Sequence, residues 1–332
     1  MIDTVKATHA PLLPDKIKLH SHAVDALADK WYGASCSKSG LSATAMPPLP
    51  GSLHSPLKAL MIPTRLMLRI VTAATLLGSA LADTGKQCFK GDFTNLAMWK
   101  TTPTPLVTPT SKISGEELIV AGKAGVRGRD GGLNTNYHHA FPEQDEVTLE
   151  YEVQFPEGID FNIGGKLFGI YAGSGSCAGG ELTDDCASVR IMWRRQGEGI
   201  GYAYIHDKDI CTRDNVDCSP PPRTFGTALH GDFWFKPGQW HKLQVHVKMN
   251  SGSSSDGFIK INLDGKDVVN LDKVHVRNAD TVKFHSIMLH NYWGGSTIDW
   301  APPHDTPIKF KNVNVYCGGE SAPSLPGKPR TC

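Results

Sequence analysis

From residue 83 onward, short apolar runs alternate with turn residues, and this pattern limits the chain to an all-β fold. Each run is rich in β-branched or aromatic residues and is bounded by Gly, Pro, Asn or Asp, which is typical of β-strands. The predicted strands are residues 146–155, 166–171, 187–194, 201–206, 240–249, 258–263, 284–290 and 308–316. Many short strands with turn-rich connections predict a β-sandwich or jelly roll.

Two neighbouring predicted strands carry polar side chains at every second position. Ser188 and Arg190 share one face of the strand 187–194, and Tyr202 and Tyr204 share one face of the strand 201–206. Residues 195–199 contain two glycines and predict a hairpin turn between these strands. Because Val189, Ile191 and Trp193 alternate with the polar residues, we expect the polar set to point away from the core. Such a face, on a curved sheet, predicts a concave polar groove.

The first 82 residues do not resemble a folded domain. Residues 1–60 have no sustained helical or strand period, so we expect a disordered segment or an extension of the gene model. Residues 61–82 combine a basic flank, a short apolar run and an Ala-Leu-Ala site, which predicts a secretory signal peptide. The alternative is a membrane anchor with a cytosolic tail, although the apolar run is short for a membrane span. We therefore expect a single exported domain over residues 83–332.

Charge and cysteine content also restrict the partners and the compartment. The net charge of +1 gives no strong field to attract nucleic acid or a membrane surface. Seven cysteines follow the expected cleavage point, and in an exported protein they predict disulfides rather than metal ligation. The expected loop-pinning pairs are Cys177 with Cys186 and Cys211 with Cys218, whereas Cys88 and Cys317 could join the two ends of the domain. Cys332 is our candidate for the unpaired thiol.

The polar face favours elimination over hydrolysis. A glycoside hydrolase normally needs two carboxylates flanking the scissile bond, and no predicted strand here alternates Glu and Asp. A uronic acid polymer can instead be cleaved when a base removes the C5 proton and the C4 oxygen departs. That route needs cations to neutralise the carboxylate and to stabilise the enolate-like intermediate. Arg190 could supply one cation, and Tyr202 or Tyr204 could move protons if nearby cations lower the phenol pKa from about 10.

Several segments, taken in order, resemble polysaccharide lyase family 14. They are residues 164–167, 188–195, 201–205, 235–241, 256–257, 263–266 and 292–295, and the resemblance covers roughly residues 140–316. It implies a jelly roll and a metal-independent β-elimination. It also implies that Lys166, Ser188, Arg190, Tyr202 and Tyr204 are the catalytic residues. Alginate lyases and glucuronan-degrading enzymes both occur in this family, so the polymer stays open.

We expect these residues to divide the work as follows. Arg190 and Lys166 neutralise the carboxylate, the two tyrosines exchange protons with C5 and the leaving oxygen, and Ser188 orients the sugar. Whether a tyrosine or Lys166 is the base stays open at this point. Arg194 and Trp293 are expected to contact the substrate, the latter by stacking on a sugar ring.

No cofactor is expected. His241 and His246 have no partner at zinc spacing. The acidic loop around Asp207, Asp209 and Asp214 lacks the glycine and glutamate pattern of a calcium loop, so a structural calcium ion is conceivable but not indicated.

The sequence thus predicts a secreted, monomeric polysaccharide lyase whose partner is an acidic polysaccharide. Two alternatives belong to other classes. A lectin-like module would bind acidic glycans without cutting them, and a sandwich glycoside hydrolase would produce reducing ends without unsaturation.

Overall fold

A computed structural model describes residues 85–219, 225–295 and 297–318, and these residues form antiparallel β-strands joined by turns. The first eight strands are β1 Lys86–Lys90, β2 Thr101–Thr102, β3 Ser111–Ser114, β4 Glu117–Gly122, β5 Leu133–Tyr137, β6 Glu146–Gln154, β7 Gly164–Gly173 and β8 Cys186–Arg194. The next eight are β9 Glu198–Tyr204, β10 Val216–Asp217, β11 Thr227–Trp234, β12 Trp240–Lys248, β13 Gly257–Leu263, β14 Lys266–Val274, β15 Phe284–Trp293 and β16 Thr306–Cys317. Short 3₁₀ turns occupy Leu96–Met98, Gly128–Gly131, Arg195–Gly197, Ile210–Thr212 and Ile298–Trp300. The expected domains over residues 1–60 and 61–82 lie outside the described residues.

The strands form two eight-stranded sheets that pack as a β-sandwich jelly roll, which confirms the predicted fold class. The first sheet has the order β14-β13-β12-β6-β16-β4-β3, with β1 paired to β16. The second has the order β10-β11-β9-β8-β7-β15-β5-β2. All eight predicted strands are present. Most of the missed strands are edge or near-edge elements, whose polar residues give a weak strand signal.

The core lies between the sheets and is strongly aromatic. Phe168 of β7 stacks on Phe310 of β16 with ring centroids 4.1 Å apart, so the two sheets are in direct contact. Val189, Ile191 and Trp193 of β8 point into this core, as their alternation predicted. The polar residues between them therefore face outward.

Two turns follow the predicted chemistry. The β8–β9 hairpin closes through the 3₁₀ turn Arg195–Gly197, in which Gln196 and Gly197 have φ values of 59° and 82°. The β13–β14 hairpin turns at Asp264 and Gly265, whose φ values of 53° and 86° suit an Asp-Gly pair. The first of these turns fixes the register in which β8 and β9 present their outward side chains.

Three disulfides join the pairs that the sequence predicted. Cys88–Cys317 ties β1 to β16 near the two ends of the described domain, whereas Cys177–Cys186 and Cys211–Cys218 each pin a short loop. Each cross-link restricts the unfolded chain and so stabilises the fold. Cys332 lies outside the described residues. No helix in the described part of the chain is long and apolar enough to cross a membrane.

Candidate active site

The outward side of β7, β8, β9 and β15 gathers the sequence-predicted polar residues; we call it the site face. Ser188 pairs with Tyr204 and Arg190 pairs with Tyr202 across the β8–β9 register. Lys166 pairs with Met192 across β7 and β8. The predicted residues Lys166, Ser188, Arg190, Tyr202 and Tyr204 therefore come together on one surface.

Arg190 is a buried cation whose guanidinium is only partly hydrogen-bonded. Its side chain is 1 % exposed, and Nη1 lies 3.3 Å from Nδ1 of His290. Its Nε and Nη2 atoms are buried and have no hydrogen-bond partner among the described residues. The side chain can lie flat across β7 because Gly169 is opposite it; a Cβ there would be 2.4 Å from Cγ of Arg190. Two nitrogen atoms of Arg190 are thus left to donate to an anion, and a guanidinium suits a planar carboxylate.

Lys166 lies beside Arg190, and its surroundings favour the neutral amine. Its Nζ is 3.9 Å from the ring centroid of Tyr202 and 2.8 Å from Sδ of Met192. Burial lowers the pKa of Lys166 well below its usual range, and the charges of Arg190 and Arg194 lower it further. Among the described residues no ion pair includes Lys166 or Arg190. An amine in this setting can accept a proton.

Tyr202 and Tyr204 form a hydrogen-bonded pair of phenols 3.3 Å apart. The backbone N–H of Gly226 donates to the Tyr202 hydroxyl, and that of Gly180 donates to the Tyr204 hydroxyl. Burial raises the pKa of Tyr202 well above its usual value, and the neighbouring Tyr204 adds to the rise. Arg190 acts in the opposite direction but does not prevail. The cation thus acts in the expected direction, but desolvation is the larger effect, and the pKa of Tyr202 is raised overall.

Ser188 makes a hydrogen bond to the loop that the Cys177–Cys186 disulfide closes. It is fully buried, and its hydroxyl donates to the carbonyl oxygen of Cys177 at 2.7 Å. The Cys177–Cys186 disulfide closes the same loop, and Gly180 of that loop contacts Tyr204. In this arrangement Ser188 holds the loop that contacts Tyr204, and its expected role of orienting the sugar stays a prediction.

The two expected substrate-contacting residues, Arg194 and Trp293, lie on opposite faces of the second sheet. Arg194 lies on the site face, and its guanidinium carbon is 5.0 Å from the ring centroid of Trp300. Trp293 is 1 % exposed and points into the core, where its ring lies 5.0 Å from that of Trp193. The expectation that Trp293 stacks on a sugar is therefore wrong, because its place in the β15 alternation directs it inward.

The match to a known family now adds to this geometry. A sequence profile described as polysaccharide lyase 14 matches residues 123–313, more than half of the 332 residues. The chain belongs to polysaccharide lyase family 14. All the site-face residues above fall inside the matched range of this family member. A comparison with curated proteins found no match.

Solved structures of alginate lyases resemble the lyase domain. The marine alginate lyase of Aplysia kurodai is 25 % identical, with a TM-score of 0.59, covering 70 % of this chain and 98 % of that one. The alginate lyase vAL-1 of a Chlorella virus is 20 % identical, with a TM-score of 0.58, covering 70 % of this chain and 100 % of that one. A variant of alginate lyase Aly36B, solved with an alginate tetrasaccharide, is 20 % identical with a TM-score of 0.57 over 70 % and 98 %. These likenesses support the jelly-roll fold.

Sequence reasoning missed two residues of this polysaccharide lyase site, His290 and Asn136. Arg190 can only donate, so Nδ1 of His290 must accept its hydrogen bond; Nε2 then carries the proton and donates to Oδ1 of Asn136, 3.1 Å away. Burial lowers the pKa of His290 well below its usual value, and Arg190 lowers it further, which keeps the imidazole neutral. The alternation of His290 with the core residue Leu289 was a usable signal for its outward direction.

The acidic loop that was considered for calcium has protein partners instead. Asp207 accepts hydrogen bonds from Nη2 of Arg213 at 3.1 Å and from the backbone N–H of Asp209 at 3.0 Å. In the described ranges no group of three or more His, Cys, Asp or Glu side chains is arranged to hold a metal ion.

Proposed function

We propose that this lyase cleaves a polyuronate by metal-independent β-elimination and leaves unsaturated uronate ends. One observation carries the proposal: Arg190 is buried and partly unpaired beside the Lys166 amine and a phenol pair, and no described carboxylate pairs with its guanidinium. A buried cation of this kind is stabilised when an anionic ligand joins it. The carboxylate of a uronic acid has the charge and the planar shape that fit Arg190.

Each residue then has one step in the reaction. Arg190 neutralises the C5 carboxylate and stabilises the enolate-like intermediate. The neutral amine of Lys166 takes the C5 proton, because its lowered pKa provides an unprotonated base below the usual lysine range. The phenol pair protonates the C4 oxygen, since the raised pKa of Tyr202 keeps that proton available. The C4–O bond breaks as the C4–C5 double bond forms, and the proton on Lys166 returns to the phenol pair.

The same proposal extends to substrate and compartment. Alginate is the first polymer to test, because the solved relatives are named as alginate lyases, and glucuronan is the second. The three disulfides fit an oxidising, extracellular environment, which agrees with the expected signal peptide. We expect a secreted monomer that needs no cofactor.

The test is a panel of alginate, polymannuronate, polyguluronate and glucuronan, with ultraviolet absorbance and reducing ends followed together. We expect both signals to rise on at least one polymer. Reducing ends without absorbance would indicate a hydrolase. Saturable binding without either signal would indicate a lectin-like module.

A Lys166→Arg variant in the same panel tests the assignment of the base. The arginine stays protonated and cannot accept a proton at neutral pH, so we expect kcat to fall by roughly 10² to 10⁴. For the wild type, the base must be unprotonated, so kcat/KM falls as pH drops through the lowered pKa of Lys166. Full activity of Lys166→Arg would assign the proton transfer to another group.

A further inference from the structure

A short basic segment borders the site face on the side of β15 and β5. It contains Lys123, Arg127 and Arg129, whose side chains are all exposed; we call residues 123–129 the basic loop. Of the ion pairs formed by the described residues, none includes any of these three cations. Asp130 follows directly, so the segment retains an excess of positive charge. Exposed cations that form no ion pair within the described part of the chain can meet an external anion.

Hydrogen bonds hold the basic loop in one conformation. The N–H of Lys123 donates to the carbonyl oxygen of Gly131 at 2.9 Å, and the N–H of Val126 donates to that of Lys123 at 3.0 Å. The N–H of Gly125 reaches the carbonyl oxygen of Pro302 at 2.9 Å. Nη1 of Arg127 donates to the carbonyl oxygen of Gly295 at 3.0 Å. A loop fixed in this way presents its charges without a large ordering cost on binding.

The basic loop lies close to the candidate active site. The 3₁₀ turn Gly128–Gly131 leads directly into β5, and Gly132 is packed so closely on β15 that a Cβ there would be 2.9 Å from Cβ of Tyr292. The charge of Arg129 contributes to the lowered pKa of His290, although burial and the nearer basic residues contribute more. The basic loop therefore extends the positive charge of Arg190 toward this edge of the sheet.

The opposite side of the site face has the opposite charge. Glu198 of β9 and Asp217 of β10 flank His230 of β11, at 3.6 Å and 2.9 Å. Those carboxylates disfavour a polyanion, whereas the basic loop attracts one. A bound acidic chain therefore gains more by extending from Arg190 toward β15 and β5 than toward β11.

We propose that the basic loop is a binding subsite for the carboxylates of uronate residues beyond the one that reacts, with Lys123, Arg127 and Arg129 as the contacting cations. The proposal rests on the proposed polyuronate lyase function and specifies how the polymer lies on the site face. From β8 to β5 there are three strand spacings, roughly 14 Å. A sugar bound at Arg190 does not reach that far, so the subsite acts on long chains.

The test uses the full chain with Lys123→Gln and Arg129→Gln combined, which leaves the hydrogen bond of Arg127 to Gly295 intact. An exposed ion pair contributes little, so we expect KM for the polymer to rise by roughly two- to fivefold per cation removed. The ratio of kcat/KM for polymer to kcat/KM for a trisaccharide should fall, and the salt dependence of polymer cleavage should weaken. The matched control is Lys90→Gln with Lys112→Gln, which removes the same charge from exposed positions on the first sheet.

Binding is measured beside cleavage, by affinity electrophoresis of the same variants in gels containing alginate or glucuronan. Weaker retention of the basic-loop variant than of the control supports the subsite, even if the wild type cleaves neither polymer. Equal retention of the two variants, with an unchanged ratio of kcat/KM for polymer to kcat/KM for a trisaccharide, overturns the proposed subsite. A wild type that cleaves polymer is still a lyase in that case. A wild type that produces no unsaturated ends on any polymer instead overturns the proposed function.

Discussion

Two lysines on the outer face of the first sheet and the two basic residues of the site face have different surroundings. On the first sheet Lys242 meets Glu150 at 2.8 Å, and Lys309 meets Glu117 at 3.0 Å. On the second sheet Arg190 and Lys166 are more deeply placed, yet no described carboxylate pairs with them. Cross-strand ion pairs of this kind add only modestly to the stability of a sheet. A buried cation without a carboxylate partner opposes stability, which fits a role for Arg190 in binding an anion.

The lowered pKa of Lys166 shows that the site face disfavours a second positive charge beside Arg190. Burial and two neighbouring guanidinium groups disfavour the charged amine, so the folded protein favours its neutral form. Arg190 cannot respond in the same way, because a guanidinium stays protonated in proteins. The site therefore holds one fixed cation and one amine that can gain or lose a proton. That pair is what elimination next to a carboxylate needs.

The largest expected effect follows from removing the fixed cation. An Arg190→Met variant keeps most of the side-chain volume and loses the charge, so we expect kcat on the preferred polymer to fall by roughly 10² to 10³. We expect the free energy of unfolding to stay the same or to rise by about 1 kcal/mol, because an unpaired buried charge is gone. Absorbance assays and urea unfolding measure the two quantities. A large loss of stability would show that the guanidinium is needed for the fold and not only for binding an anion.

The sequence was informative where the site depends on local spacing. Alternation along β8 and β9, with one glycine-containing turn, was enough to place Ser188, Arg190, Tyr202 and Tyr204 on one face. Lys166 entered only through the family resemblance, because a β-bulge between Lys166 and Gly169 shifts the β7–β8 register. No rule of spacing gives the position of such a bulge in advance.

Two other features were beyond prediction from the sequence for a physical reason. His290 contacts Arg190 across 100 positions in the chain, and Asn136 contacts His290 across 154. Those contacts depend on which strands become neighbours, and β5, β7 and β15 are not consecutive. The pKa of Tyr202 depends on how completely loops bury the phenol, which is also a tertiary property. The hydrogen bond from Ser188 to the carbonyl oxygen of Cys177 is tertiary in the same sense.

A smaller effect is expected from the group that orients the unpaired guanidinium. His290→Leu removes the acceptor of Arg190 and leaves the charge in place, so we expect kcat to fall by up to roughly a hundredfold through misplacement. His290→Gln keeps an amide oxygen that can accept from Arg190 and should recover part of the loss. A merely space-filling histidine predicts that Leu and Gln behave alike. Steady-state kinetics of both variants separate these two roles.

The smallest effect is expected on the first sheet, where Lys242 is half exposed and its partner Glu150 also accepts from Nε2 of Gln244 at 2.8 Å. A Lys242→Met variant should lose less than about 1 kcal/mol in its free energy of unfolding, because solvent screens an exposed ion pair. High salt should shrink even that difference. Polymer cleavage should match the wild type, since Lys242 belongs to the sheet that carries none of the candidate site. Urea unfolding at two salt concentrations, with the absorbance assay, measures these outcomes. If Lys242→Met instead lowered polymer cleavage as much as Arg190→Met, pairing with a carboxylate would no longer distinguish structural cations from functional ones in this protein.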